Sequence, residues 1–517
     1  MTPRPSRRRF VRASISMGGF ALIGCKTLSD QASSQLRDVN TATLPVQTTY
    51  PPLPAKLRRR KNLSSAAGAK DLATFRTVVG LMKQSGQWET WAKIHNDFCP
   101  HNNWFFLPWH RWFLFYFEEN CREILRQNKL SDDFSLPYWN WPDNNGAIPD
   151  AFWGDGNPLN DATRYVTKGY MLPMETNSAE VVQNILAIDD FLIFGSGRSS
   201  SPRDFGTTGQ LEGTPHNTVH AQLGGDMSTF MSPLDPIFWV HHSNVDRLWS
   251  EWAAKHPGSI LPPTPKPRVA QVTEAIFVDP SEQLTTEFWQ KYSFNGYRDP
   301  RGSTVSGTPE NALYTEKMPA PYTYDSVSNK GLLLTDSEAP VPKSKIQTIH
   351  IESINKQAVR TVDSQNLILS ANISYPAELK PYVKKLLAGN TDRGQLVLTI
   401  NHVPVPTDHI KHTIMLRFFA NHPQINKTSS YSDPHFLTTL AFFSHGQHGD
   451  HGAAESLDFT IDLTNILPRL AKAGIDVSDH LTLGVVVVDR NLTSLPDLDF
   501  FKKISLRLDY TETEVGQ

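Results

Sequence analysis

Cysteine is nearly absent from this chain: three in 517 residues, at Cys25, Cys99 and Cys121. One disulfide at most could form, which excludes a disulfide-stapled scaffold, and the spacing excludes a cysteine-rich zinc site. Charge of either sign is not in excess, since 50 Lys and Arg meet 52 Asp and Glu for a net charge of −2. With no basic block outside the N-terminus, nothing offers nucleic acid the clustered cationic face it needs. No apolar run is long enough to span a bilayer as a helix. What remains is a composition of 39% hydrophobic and 20% charged residues, that of a soluble globular protein. The length is more than one ordinary core can use, so two or three domains are expected. A metal held without cysteine must use imidazole or carboxylate, and 18 histidines are on hand.

The first 25 residues read as an address. Ser6 to Arg12, SRRRFVR, sets paired arginines before Phe10 in the manner of a twin-arginine export signal. The weakly apolar ASISMGGFALIG that follows ends in Leu22-Ile23-Gly24-Cys25, which resembles a lipoprotein cleavage box. The expectation is export to the cell envelope or periplasm, with membrane attachment through a lipidated Cys25. A basic tail with a chance cysteine is the alternative. Residues 26–56 are polar and Pro-rich and read as a spacer. From 57 to 324 helical periodicity alternates with long Pro/Gly loops, as in KDLATFRTVVGLMKQ and in the run from Trp104 to Leu125. Residues 325–344 carry turn formers and read as a linker. From 345 to 517 the period falls to two, as at Leu396, Leu398 and Ile400, or Ile414, Leu416 and Phe418. The expected architecture is an α-helical domain followed by an antiparallel β-sandwich.

Within the helical part, KIHNDFCPHNNWFFLPWHRW places His95, His101 and His110 among aromatic residues. A lone histidine in such a run is ordinarily a hydrogen-bonded core residue. A second group changes that reading: His216 and His220 in LEGTPHNTVH, then His242 in DPIFWVHHSNVDRLW. Residues four apart on a helix aim from one face, so His216 and His220 can share an ion. Three neutral imidazoles per ion leave coordination positions open. Nitrogen-only sites suit copper, zinc, iron or nickel, with copper highest in the affinity order. The aromatic residues then exclude water and hold the ligand helices rigid.

These residues resemble the tyrosinase and catechol oxidase (polyphenol oxidase) family, whose members carry a dinuclear copper centre. One family signature is met by His101, Phe106, Trp109, His110, Arg111, Leu114 and Glu118, the other by Asp235, Pro236, Phe238, Trp239, His242 and Asp246. The resemblance implies His95, His101 and His110 as ligands of one copper, and His216, His220 and His242 as ligands of the other. His241 is then structural, since adjacent helical side chains diverge by about 100°. By the same resemblance Cys99 forms a thioether to His101; a small buried hydrophobe is the plainer reading. Leu136 to Asp143 and the Tyr322/Tyr324 pair match plant-type landmarks, although the cysteine pairs of the plant enzymes are missing.

The resemblance implies oxidation of o-diphenols to o-quinones with O2 as co-substrate and two copper ions as cofactor. Hydroxylating a monophenol also requires removal of a proton whose pKa is about 10. Family members with that activity hold a water between a glutamate and an asparagine, here matched by Glu212 and Asn217. A helix-start carboxylate and a capping residue are their plainer readings. Phe230 falls where the family places a residue near the copper entrance, and equally reads as core. Small phenolic substrates are the implied partners, the substrate's identity and the oligomeric state being silent. A dioxygen carrier or a copper-handling protein is the competing class, the latter drawing on His445, His448 and His451, a tract that also reads as a solvated loop. The β domain is expected to shield the copper entrance, as such a domain does in related enzymes.

Overall fold

We describe the chain from a computed structural model. It describes residues 57–263 and 284–327, and in the C-terminal part 346–351, 360–363, 368–390, 394–405, 414–426, 428–443, 456–488 and 504–513. The export signal, the spacer and the His445/His448/His451 tract lie outside the described residues.

The helical body is built on four long elements: α1 (Ala66–Ser85), α2 (Trp88–Phe98), α3 (Phe106–Gln127) and a later helix, Ile237–Lys255. Ser65 starts α1 by accepting the Gly68 N–H, and Gly86 ends it at φ 73°, a left-handed conformation that suits glycine. Helix α3 is apolar on nearly every side, as FLPWHRWFLFYF predicts, and is buried accordingly. Phe117 stacks on Trp239 at 3.4 Å, and Trp91, Phe113 and Trp88 close the same aromatic cluster.

A buried ionic network fixes how the two histidine-bearing helices sit. Strand β1 (Arg58–Arg60) pairs in parallel with Tyr322–Tyr324. From it the Arg60 guanidinium donates to Glu118 of α3 at 2.7 Å and to Asp246 of the later helix at 3.2 Å. Arg111, beside His110, and the Tyr322 and Tyr324 hydroxyls all donate to Asp246, one turn beyond His242. Burial alone would raise the Glu118 carboxyl, but Arg60 and Arg122 overcome it and hold the pKa down to about 2. Its stabilising contribution is therefore complete above its ordinary value of 4.5 and is lost as pH falls toward 2. Glu118→Gln is expected to cost about 3 kcal/mol at neutral pH, since it leaves buried guanidinium charge unpaired. Denaturant unfolding of the copper-free chain should show this gap, narrowing as pH drops below 4.5. A gap that does not change with pH would mean the carboxylate charge is not what matters.

The C-terminal part forms two five-stranded layers of largely antiparallel strands. One runs in the order Phe436–Ala441, Met415–Ala420, His480–Val488, Ile368–Ser374, Arg360–Asp363. The other runs Ser456–Asp462, Gly394–Pro404, Ser505–Thr513, Ile346–Ile351, and its remaining edge is completed by Thr207–Thr208 of the helical body. The alternating residues Leu396, Leu398, Ile400, Phe459, Ile461, Leu506 and Leu508 fill the space between the layers. Two short helices, Lys380–Leu387 and Ile466–Lys472, also pack there, where strands alone were expected. Residues 325–327 belong to the body: Asp325 accepts from Tyr138 and the Asn62 N–H, and Val327 is buried in its core.

The β layers are fastened to the body at several points. Thr207 and Thr208 pair in parallel with Asp458 and Phe459. Arg417 forms an ion pair with buried Glu175 at 2.9 Å, and Asn217 Nδ2 donates to the Ala441 carbonyl at 3.0 Å. Phe443, just beyond that strand, packs into the aromatic core of the body and not into the sandwich.

Candidate metal centre

Three stretches of the chain bring six buried histidines together. His95 lies near the end of α2, His101 in the turn that follows, and His110 in the second turn of α3. A single wide helical turn, Glu212–His216, runs directly into helix Asn217–Leu223, which aims His216 and His220 inward. His242 sits in the second turn of helix Ile237–Lys255.

The ring orientations follow from the hydrogen bonds at Nδ1. That atom bonds the Phe230 carbonyl in His95 (2.7 Å), the Phe106 carbonyl in His110 (2.8 Å) and the Met227 carbonyl in His220 (2.6 Å). Carbonyls only accept, so each Nδ1 carries the proton and each Nε2 presents a lone pair. His216 Nδ1 bonds Asn217 Oδ1 at 2.9 Å; Asn217 Nδ2 is committed to Ala441, which leaves the amide oxygen as the acceptor. Burial, then the neighbouring histidines, push His101, His110, His220 and His242 well below the ordinary imidazole range, so they are neutral.

The Nε2 atoms converge in two groups. His95 and His110 approach to 3.3 Å; His242 lies 3.3 Å from His216 and 3.2 Å from His220. In the first group both Nε2 atoms carry lone pairs, which repel at that distance with no proton between them. Two nitrogens bound to one ion at about 2.0–2.1 Å, at tetrahedral angles, lie about 3.3 Å apart. The donor set therefore fits a cation in each group, and His101 completes the first, its ring 5.5 Å from that of His95 and 5.2 Å from that of His110. The groups face each other through His110 stacked on His242 at 4.5 Å.

His241 lies within reach of the second group, but its chemistry differs. The Trp141 indole N–H, which can only donate, bonds His241 Nδ1 at 3.1 Å. The neutral ring then carries its proton on Nε2 and has no lone pair there for an ion. A third cluster, His422, Asp433 and His435, is satisfied internally: both rings bond the carboxylate, and His422 Nδ1 accepts the Gln424 N–H.

The remaining predicted residues fall close by. Glu212 is fully buried, and burial pushes its pKa up to about 8 against the lowering effect of Ser196 and the Asn102 N–H. It caps no helix: Oε1 accepts the Asn102 N–H at 2.7 Å and Oε2 the Ser196 hydroxyl at 2.6 Å. Asn217 likewise bonds His216 and Ala441 instead of capping. Phe230 lies 5.7 Å from the His101 ring, and its carbonyl holds His95, a role no side-chain pattern encodes. Cys99 is buried beside α2 and Cys121 within α3, both as free thiols. Sequence reasoning missed Phe443, whose ring lies 4.6 Å from that of His101 and 4.4 Å from that of His220. Its one signal is the apolar pair Phe442-Phe443 at the end of a strand, which is common in any β core.

The common central domain of tyrosinase matches residues 74–190 and 172–255. Tyrosinase HcTyr1 of Hahella sp. (strain CCB-MM4) is 36% identical over 176 residues, 30% of this chain and 38% of that protein. The tyrosinase of Streptomyces glaucescens is 30% identical over 259 residues, 42% of this chain and 90% of that protein. A latent aurone synthase (polyphenol oxidase) of known structure shares the fold over 90% of this chain and 92% of its own, at 19% identity and a TM-score of 0.60. The chain belongs to the tyrosinase family of copper oxidoreductases.

Proposed function

We propose that this protein is an exported polyphenol oxidase that converts o-diphenols to o-quinones and also hydroxylates monophenols. The observation that carries it is the pair of converging imidazole groups, three histidines in each. His95, His101 and His110 would hold one copper and His216, His220 and His242 the other. When bound, the pair supplies two-electron exchange with O2. Two o-diphenols then give up four electrons and four protons, and O2 takes them to become two waters. A monophenol takes one oxygen atom of O2 and leaves as the o-quinone, the other atom becoming water.

The chain's own residues supply position, dryness and proton handling. Phe230 and Phe443, 5.6 Å apart, form an apolar wall over His101 and keep water from the site. Glu212 and Asn217 are the proton-handling pair, holding a water that takes the phenol proton. With the β domain docked, one of the two Asn217 Nδ2 hydrogens donates to the Ala441 carbonyl, which holds the amide in place. The β domain is read as a shield, with Phe443 standing where a substrate ring would enter. The crosslink from Cys99 to His101 is favoured because neither His101 ring nitrogen has a hydrogen-bond partner among the described residues. A thioether would fix that ring, with two hydrogens lost to O2 as the oxidant. The twin-arginine-like leader and Cys25 support an envelope location with a lipid anchor.

Oxygen uptake by the copper-loaded protein, freed of its β domain, tests the reading. O2 should be consumed at one per two o-diphenols, which no carrier or storage protein does. Glu212→Gln and Asn217→Ala should lower monophenol turnover about a hundredfold while diphenol turnover falls only a few-fold. Equal losses on both substrates would remove the pair from proton transfer.

A further inference from the structure

Of the six site histidines, His101 alone has neither ring nitrogen hydrogen-bonded among the described residues. Four of the others are anchored through Nδ1, and His242 lies stacked on His110 with its Nε2 beside His216 and His220. With no hydrogen bond of its own, the His101 ring depends on packing against Phe106, Phe230 and Phe443 and on the backbone that carries it. That backbone is a turn, with Asn102 at φ 58°, a left-handed conformation that asparagine tolerates. The turn is gripped on three sides. The Asn102 carbonyl accepts the Gly206 N–H at 2.7 Å, its Oδ1 accepts the Thr208 hydroxyl at 2.9 Å, and its N–H donates to Glu212 Oε1 at 2.7 Å.

Glu212 is itself held by one side chain, Ser196. The Ser196 hydroxyl donates its one proton to Glu212 Oε2 at 2.6 Å and accepts the Gly209 N–H at 2.9 Å. Ser196 is fully buried and sits at φ 83°, ψ 154°, a region that serine rarely adopts. Glycine flanks it as Gly195 and Gly197, yet the strained position carries a side chain. Gly209 packs so close that a Cβ there would lie 2.3 Å from the Ser196 nitrogen. The hydroxyl therefore faces Glu212 from a site closed on the other side.

We infer that Ser196 is a positioning residue for the first copper: through Glu212 and Asn102 it fixes the turn that presents His101. This rests on the reading of His101 as a copper ligand, and it gives Glu212 an anchoring task separate from proton transfer.

The test is copper release from the loaded full-length protein into excess ethylenediaminetetraacetate, followed as copper retained per chain. Ser196→Ala removes the hydroxyl and keeps the strained backbone. Ser196→Gly removes the hydroxyl and relieves the strain, so it folds even where alanine does not. Both should release one copper about tenfold faster than the unaltered protein, the second ion leaving at the unaltered rate. Glu212→Ala should give the same selective loss, and adding Ser196→Gly to it should change little, since the two act in series. Two ions released at unaltered rates from Ser196→Gly would overturn the inference, as would equal acceleration of both. If the unaltered protein takes up no copper at all, the ligand reading itself falls, and that outcome is distinct from either.

Discussion

Replacing His242 by alanine is expected to leave about one copper per chain and no measurable phenol oxidation. His242 is the hinge of the second group, its Nε2 lying 3.3 Å from His216 and 3.2 Å from His220, and its ring also stacks on His110 of the first. Removing it leaves two nitrogens for an ion that needs three, and the reaction needs both ions because each O2 takes its electrons in pairs. Its neighbour supplies the control. His241 spends its Nδ1 lone pair on the Trp141 indole, so His241→Ala should retain both coppers, with turnover reduced by about tenfold at most. Metal analysis of the two purified variants checks this. Copper lost from His241→Ala and kept in His242→Ala would reverse the assignment.

The second large effect is a gain. Phe443→Ala is expected to raise o-diphenol turnover about tenfold or more at unchanged copper content, because its ring packs on His101 and His220, where we propose the substrate ring enters. A fully buried phenylalanine is costly to truncate, typically about 3–5 kcal/mol, so the variant is to be assayed well below its unfolding temperature. Cutting the chain within residues 328–344 is the companion experiment, and the interface predicts an uncommon result. The β layers are held by Thr207–Thr208 pairing, by Arg417 on Glu175 and by Asn217 on Ala441, all independent of the linker. Nicked protein should thus stay slow until mild denaturant or salt separates the pieces, and only then accelerate. A separated, folded body with two coppers that is no faster than the whole chain would end the shielding idea.

The convergence of the six histidines was legible because their positions are constrained locally. His216 and His220 are four apart on one helix, and His110 and His242 stand in fixed relation to Arg111 and Asp246, whose buried ion pair locks the two helices. Strand alternation at Leu396, Leu398 and Ile400, or Leu506 and Leu508, was equally readable, since a buried sheet face repeats every second residue. What escaped depends on contacts distant in sequence. Thr207 and Thr208 look like loop and become a sheet edge only because a strand 250 residues away lies beside them. Ser196 sits in GSG, a composition that marks a turn and says nothing of the carboxylate it meets. Phe443 reads as core, and it is core, but of the other domain. The linker boundary slipped because Asp325 and Val327 look like turn residues until Tyr138 and the body's core are placed against them.

The central claim is that two histidine triads hold two ions, and anomalous scattering at the copper edge from crystals of the loaded protein tests it most directly. The account predicts two peaks, each about 2.0–2.1 Å from three Nε2 atoms, one among His95, His101 and His110 and the other among His216, His220 and His242. A single peak, or a peak bonded to His241 in place of His242, would contradict it.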